Sequence, residues 1–214
     1  MSVDVFSLVS EHLPSSARVL AFHGEEGISR LYRFEILFVV PRGAGGDFEL
    51  SCALLQRATL AVQRPDGSRR TWWHGILASV EYVHEHADDV VYRAVLVPRL
   101  FLLSLVTHHR AWVQGAASDR IPDIVQDILR EHGIQQVEAP LQRTYRPMLQ
   151  VVQYGETDLE FVSRWMEREG LYYFFTQGES AETVLITDSR LRHPEARAQV
   201  RYFASADDDS AQTE

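Results

Sequence analysis

The spacing of apolar residues changes part-way along the chain, and this change limits the possible folds more than any other feature. In the first hundred residues, apolar and polar side chains alternate with a period of two, as they do in strands with one buried face. From about Val106 the apolar residues recur every three to four positions, which is typical of amphipathic helices. The sequence therefore predicts an α+β fold, mainly β, with a small antiparallel barrel or sandwich before a helical segment.

Six runs in the first hundred residues have the strand pattern, separated by turn segments such as PRGAGGD and QRPDGSRR. They are residues 3–9, 18–22, 30–40, 59–63, 70–83 and 90–98. In the third run the apolar side chains Tyr32, Phe34, Ile36 and Phe38 share one face. Arg33 and Glu35 share the other, so this strand is expected to be half-buried.

Two later segments have the helix pattern. SDRIPDIVQDILREHGI predicts a helix, because it carries an apolar stripe, a proline in the first turn and a terminating Gly133. TDLEFVSRWMEREG predicts a second helix with Thr157 and Glu160 as a capping box and Gly170 just past its C-terminal end. Its expected buried stripe is Leu159, Val162, Trp165 and Met166. LYYFF and TVLITD should then pair as strands.

Three carboxylates at the start of the second helix, Glu156, Asp158 and Glu160, raise the question of an active site. Glu160 belongs to the capping box, and Asp158 lies in the first turn, where a negative charge meets the positive end of the helix dipole. First-turn acids are expected on any well-capped helix. The carboxylates are therefore interpreted as scaffold.

Charge and hydropathy exclude two classes of partner. The formal net charge is −9, and all 21 cations are arginines scattered along the chain, so sequence-independent nucleic-acid binding is not expected. Without a run of about 18 apolar residues, insertion into a membrane is not expected either. The start MSVDVFSLVS lacks the features of a secretory signal, which predicts folding in the cytosol.

Histidines and the single cysteine are the remaining candidates for chemistry. His84 and His86 lie two apart beside Asp88 and Asp89, a spacing that can seat a metal but that lacks a third ligand at fixed spacing. The adjacent His108 and His109 should point opposite ways in an extended chain, and Cys52 is interpreted as a small buried hydrophobe. No nucleophile elbow or phosphate-binding loop is present. We therefore expect no catalytic residue, metal or cofactor.

An ordered series of segments carries a family resemblance. It consists of SRLYRFEILF, HGILASVEYV, YRAVLVPRLFLLSL, IPDIVQDIL, VVQYGETDLEFVSRWMEREGLYYFF and VLITD. In this order they resemble the N-terminal part of the VgrG spike proteins of type VI secretion, which are similar to the hub proteins of contractile phage baseplates. The resemblance covers about residues 5 to 205, with Gly155 and Trp165 as mild departures from the family pattern.

The resemblance implies a structural role without enzymatic activity. It implies a homotrimeric hub that seats on the inner tube and contacts baseplate proteins and effectors or their adaptors. It also implies assembly in the cytoplasm, followed by ejection through the apparatus without a signal peptide. The expected organisation is a hub barrel at 1–105, an inserted α+β subdomain at 106–190, and a return strand near 199–203 with an acidic disordered tail at 191–214.

Family members continue into further domains, for which too few residues follow Phe203, so a fragment or a naturally short relative is expected. Two alternatives to the structural hub stay open. One is an adaptor that docks effectors through the inserted subdomain. The other is a metal-dependent hydrolase built on His84 and His86.

Overall fold

The computed structural model describes residues 5–43, 49–63 and 70–193. The strands are β1 (Val5–Ser10), β2 (Arg18–Glu25), β3 (Arg33–Pro41), β4 (Arg57–Gln63), β5 (Arg70–His86), β6 (Asp89–Val97), β7 (Thr107–Val113), β8 (Val137–Glu138), β9 (Gln150–Thr157), β10 (Tyr172–Gln177) and β11 (Glu182–Thr187). The α-helices are α1 (Leu50–Ala53), α2 (Ile121–Glu131) and α3 (Asp158–Glu169), and short 3-10 helices cover Arg99–Leu105 and Arg190–Arg192.

The first six strands form one antiparallel sheet in the order β1-β4-β5-β6-β3-β2. Its central pair, β5 and β6, is a hairpin whose turn holds Ala87 at φ 51°. Register shifts in β2 and β5 bend these strands, as bulges do. The sheet therefore curls into a half-barrel.

The concave face of the half-barrel holds one apolar core. The expected alternation in β3 is present, because Tyr32, Phe34, Ile36 and Phe38 are buried while Arg33 and Glu35 are exposed. Curling brings the edge strands β1 and β2 together, and the rings of Phe6 and Phe22 meet edge-to-face with centroids 5.4 Å apart. In the described residues β1 and β2 share no hydrogen-bonded ladder, so the contact between these two edge strands is made by side chains alone.

The second half of the chain has its own core between helices and short sheets. α2 and α3 pack against the two-stranded ribbon β7–β9 and against the three-stranded sheet β10-β11-β8. The buried members of this core include Leu103, Ile121, Ile124, Ile128, Val151, Phe161, Val162, Trp165, Met166, Tyr173 and Ile186. Gly133 ends the α2 region in the left-handed conformation (φ 69°), which glycine adopts without strain.

Aromatic packing and side-chain hydrogen bonds connect the two cores. Phe175 on β10 packs against both, and its ring meets that of Tyr32 edge-to-face at 4.9 Å. The carbonyl of Gly178, in the β10–β11 turn, accepts hydrogen bonds from the ring nitrogens of Trp72 and His74 on β5. The β10–β11 hairpin is thereby fastened to the half-barrel.

The elements agree with the sequence predictions for the half-barrel strands, both helices and the β10–β11 pair. The prediction for Cys52 is wrong, because its side chain is exposed. α1 is a single turn that buries only Ala53, so the neighbouring thiol points outward, with Sγ 3.7 Å from a carboxylate oxygen of Glu49. The predicted return strand at 199–203 and the acidic tail lie outside the described residues. No helix in the described part is long and apolar enough to cross a membrane.

Candidate functional site

The N-terminal end of α3 is built by its own sequence. The hydroxyl of Thr157 accepts a hydrogen bond from the backbone N–H of Glu160 at 3.2 Å, and a carboxylate oxygen of Glu160 accepts from the N–H of Thr157 at 2.7 Å. This is the capping box that the spacing predicts. At the other end Gly170 has φ 68°, a left-handed conformation that suits glycine.

The buried stripe of α3 differs slightly from the predicted set. Val162, Trp165 and Met166 are buried, whereas Leu159 is only half-buried against the same core. Phe161, which the predicted stripe omits, is fully buried and stacks on Trp112 at 5.1 Å. The apolar face of α3 is therefore rotated towards β7.

Asp158 is the centre of a buried polar cluster that links four elements. Its carboxylate is fully shielded from solvent. It accepts hydrogen bonds from the side chains of Gln153 on β9 and Arg110 on β7, each at 2.7 Å, and from Nε2 of His132, after α2, also at 2.7 Å. Its backbone N–H donates to the carbonyl of Val106. Asp158 thus fixes the ribbon against the ends of both helices.

His108 completes this cluster. Its Nδ1 lies 2.9 Å from Asp158 Oδ1 and 2.6 Å from Nη2 of Arg110. A ring nitrogen cannot accept from the guanidinium and donate to the carboxylate at once, so only one of these two hydrogen bonds forms in a given protonation state. Nδ1 of His108 therefore bonds either to the carboxylate of Asp158 or to the guanidinium of Arg110.

The pKa of Asp158 reflects competition between burial and these partners. Burial alone would raise the pKa of the carboxyl, but hydrogen bonds from Gln153, His132, His108 and Arg110 outweigh it and lower the pKa to about 2. The carboxylate is therefore ionised at neutral pH. This state suits a structural anchor that holds a half-buried guanidinium.

Two histidines and a carboxylate also occur together in some metal sites, which makes the cluster the strongest candidate for chemistry. Here the guanidinium of Arg110 already supplies the cation between His108 and Asp158. Among the described residues no group of three histidine, cysteine or acidic side chains has the arrangement of a metal site. The geometry supports a scaffolding role.

The other candidate histidines lie apart from this cluster. His84 and His86 belong to β5 itself, close to the β5–β6 turn, and His84 is exposed after a register shift. The predicted strands end at residue 83 and begin again at residue 90, but β5 extends to His86, because it pairs with β6 up to Asp89. His109 points away from His108, as expected, and its exposed ring meets that of Tyr154 at 4.9 Å.

The outer face of the β7–β9 ribbon is an uncharged surface that sequence reasoning did not single out. Facing pairs His109–Tyr154, Ala111–Val152 and Val113–Gln150 cover it, and Leu149 adjoins its end. Tyr154 and Leu149 are 81% and 80% exposed. We call this set the ribbon face. Large exposed apolar side chains that are contiguous mark surfaces for protein contacts.

Comparison with known proteins places the chain in a family. A family model described as phage tail baseplate hub (GPD) matches residues 25–214. The chain belongs to this phage tail baseplate hub family. The half-barrel with its helical second half is accordingly the hub fold.

Curated relatives of this hub chain include spike proteins. It is 32% identical over 201 residues to the type VI secretion system spike protein VgrG1b of Pseudomonas aeruginosa, covering 92% of this chain and 26% of the relative. It is 35% identical over 151 residues to the spike protein VgrG3 of Vibrio cholerae, covering 71% of this chain and 14% of the relative. The hub chain thus spans about a quarter or less of these relatives.

A solved structure with 27% identity has the same fold. It is the Escherichia coli c3393 protein, described as a component of the type VI secretion system with structural similarity to the T4 bacteriophage tail proteins gp27 and gp5. The match has a TM-score of 0.75 and covers 86% of the hub chain and 50% of that protein. A Francisella PdpA–VgrG complex matches with a TM-score of 0.59 at 10% identity, over 87% of the hub chain and 31% of that protein, which shows the fold alone.

Proposed function

We propose that this chain is a structural part of a contractile injection machine, namely the hub base of a type VI secretion spike. The observation that carries the proposal is the hub-family match over residues 25–214, on a half-barrel whose two edge strands, as far as the structure describes them, do not pair with each other. Open strand edges invite pairing with other chains. A protein that works by assembly needs such surfaces, and no enzymatic activity is part of the proposal.

The proposed organisation follows the two cores. Residues 1–105 form the hub barrel, 106–190 the inserted α+β subdomain, and 191–214 a return segment. The two cores are separate clusters that share Phe175, which supports a division into two parts, but Leu100 and Leu103 of the barrel segment pack in the second core. In the assembled machine, three copies surround an axis and seat on the inner tube. The spike assembles in the cytoplasm and leaves through the apparatus.

A chimera tests the proposed function. The matching segment of the Pseudomonas aeruginosa relative is replaced by this chain, and release of the spike into the medium is measured in a strain that lacks its own copy. We expect the chimera to restore release. Phe38→Asp, which places a charge in the half-barrel core, is the control that should abolish it. A stable chimera that neither assembles nor leaves the cell would contradict the proposal.

A second function, docking of effectors or their adaptors, is favoured by the ribbon face. The solved Francisella complex joins a VgrG protein to PdpA, so a protein of this fold does carry a partner. In the chimera, Tyr154→Arg should leave spike release intact and reduce export of a carried protein. Tyr82→Arg, at a half-barrel tyrosine that is 53% exposed, is the matched control and should change neither. Equal loss of spike release in both variants would count against a docking role.

A further inference from the structure

A cleft of about 230 Å³ lies where the half-barrel meets the second core. One wall comes from β4 and β5, and the other from the segment after α2 and the β10–β11 turn. Its polar and charged lining residues include Arg57, Thr59, His74, Arg99, Gln135 and Glu182. Because both halves of the chain contribute, anything bound there touches both.

The cleft has a charge opposite to that of the whole chain. Its lining carries two arginines and one glutamate, whereas the chain has a net charge of −9. Among the described residues neither Arg57 nor Arg99 has a carboxylate partner. Arg18 and Arg143, by contrast, pair with Asp89 and Asp188. The two cleft guanidinium groups are therefore available to an external anion.

Three other polar side chains of the cleft, those of Thr59, His74 and Glu182, are already engaged. The ring of His74 must carry its proton on Nε2, because that nitrogen faces the carbonyl of Gly178 at 3.1 Å. Its Nδ1 then accepts from the hydroxyl of Thr59 at 2.9 Å. Glu182 is buried and accepts from the backbone N–H of Arg99 at 2.9 Å. The charged donors that remain free are therefore the two guanidinium groups.

The side chain of Arg99 is held only weakly. Its Nη2 lies 3.5 Å from the carbonyl oxygen of Gly133, which is a marginal hydrogen bond. A carboxylate offers a guanidinium two parallel and charge-assisted hydrogen bonds, which are much stronger. Arg99 can therefore exchange its contact with Gly133 for a bound carboxylate at little cost.

We propose that this cleft binds the carboxylate side chains of an acidic peptide segment on a partner protein. Two guanidinium groups from different elements match two carboxylates in one segment. Apolar lining residues, including Ala58, Ile134 and Val184, suit the aliphatic part of a peptide. This site is separate from the ribbon face and does not depend on the hub role.

Nuclear magnetic resonance on the full chain tests the site. The ¹⁵N-labelled protein is titrated with the peptide acetyl-Gly-Asp-Asp-Asp-Gly-amide, with its Asn counterpart, and with inorganic phosphate. We expect the Asp peptide to shift the amide signals of Gly75, Gly133 and Ala181 with a Kd of about 1 mM or tighter, and the Asn peptide to leave them unchanged. Equal shifts with phosphate would show a small-anion site and would overturn the peptide assignment.

Substitutions of the lining arginines and of the lining glutamate should change peptide affinity in opposite directions. Arg57→Gln and Arg99→Gln should each weaken binding about tenfold, as loss of a charge-assisted contact does. Glu182→Gln keeps an acceptor for the Arg99 N–H, removes the negative charge and should tighten binding. Arg33→Gln, at an exposed arginine on the outer face of β3, is the control and should have no effect. Undiminished binding by the folded double variant Arg57→Gln, Arg99→Gln would overturn the proposal.

Discussion

At the scale of single residues, Asp158 shows how one side chain acquires two roles. Its place in the first turn of α3 follows from local sequence, because acids stabilise helix N-termini. Its burial depends on partners 26 to 50 residues earlier in the chain, namely His132, Arg110 and His108. The same carboxylate thus stabilises the N-terminal end of α3 and holds the β7–β9 ribbon against it.

Replacing Asp158 by Asn should destabilise the protein by about 2–3 kcal/mol at pH 7, because it removes the buried charge that accepts from Arg110 and leaves this half-buried guanidinium with only Glu131 as its anion among the described residues. Urea unfolding measures the change. Asp123→Asn, at a half-exposed first-turn acid of α2, is the matched control and should change stability by less than about 0.5 kcal/mol. Equal effects of the two substitutions would show that the cluster is not a structural anchor.

Acid should weaken the protein through the same carboxylate. The pKa of Asp158 is about 2 in the folded chain and 3.8 as the ordinary value. A carboxyl with a depressed folded pKa stabilises the protein above its unfolded pKa, and this stabilisation is lost as pH falls from about 4 to 2. Asp188 behaves alike, with a pKa of about 2. Stability measured from pH 6 to pH 2.5 should therefore fall less steeply in Asp158→Asn than in the wild type.

Trp165 belongs to the core of the second half and is 5% exposed. Trp165→Ala should cost about 3–5 kcal/mol, because it removes a buried ring. Its indole N–H has no acceptor among the described residues, so Trp165→Phe should cost much less. An unchanged unfolding midpoint for Trp165→Ala would mean that the ring contributes nothing to this core.

At the scale of elements, α3 contains its own start and stop signals. Thr157→Ala should cost about 1 kcal/mol, because it leaves a backbone N–H of the first turn without its acceptor. Glu160→Gln should cost less, since glutamine also serves in a capping box. Glu167→Ala, on the exposed face, is the control. Thermal unfolding of the three variants should rank in this order.

Local rules explain why the elements were predictable and the polar cluster was not. The β3 alternation from Tyr32 to Phe38 and the capping box each depend on neighbours in sequence. The inward face of β7 carries His108, Arg110 and Trp112, and two polar residues on this half-buried face are the one signal in the sequence that could have indicated a buried cluster. Their common partner was not visible in the sequence, because only tertiary packing brings Asp158 beside them.

Cys52 shows the same limit on a smaller scale. Its apolar neighbours in ELSCALLQ favour a buried position. A helix of one turn has no periodicity that fixes which side chain points inward, and here only Ala53 does. The error therefore comes from the short length of α1.

At the scale of the whole molecule, several groups of large apolar side chains stay exposed on the surface. Val5 and Val9 on one edge strand are 59% and 62% exposed, and Leu20 on the other is 52% exposed. The ribbon face adds a third open surface of a few side chains. A lasting complex usually buries about 800 Å² on each partner, which is more than any one of these small surfaces offers.

We therefore expect the isolated chain to be a monomer or a weak, concentration-dependent oligomer at micromolar concentration. A stable trimer should form when the downstream segments found in the longer relatives are added. Light scattering on both forms measures this. A tight trimer of the isolated chain would show that the half-barrel alone holds a sufficient interface, and a monomeric extended form would count against the hub role.

The strand order of the half-barrel has a consequence for how the chain folds during synthesis. β1 precedes β4 in the chain, and among the described strands it pairs with β4 alone, so the Val5–Gln63 pair forms only after β4 has left the ribosome. The β2–β3 and β5–β6 hairpins pair between sequence neighbours and can form early. We expect pulse-labelling hydrogen exchange to protect the two hairpins before β1. The nascent protein therefore carries β1 as an unpaired apolar strand until more than fifty further residues have emerged.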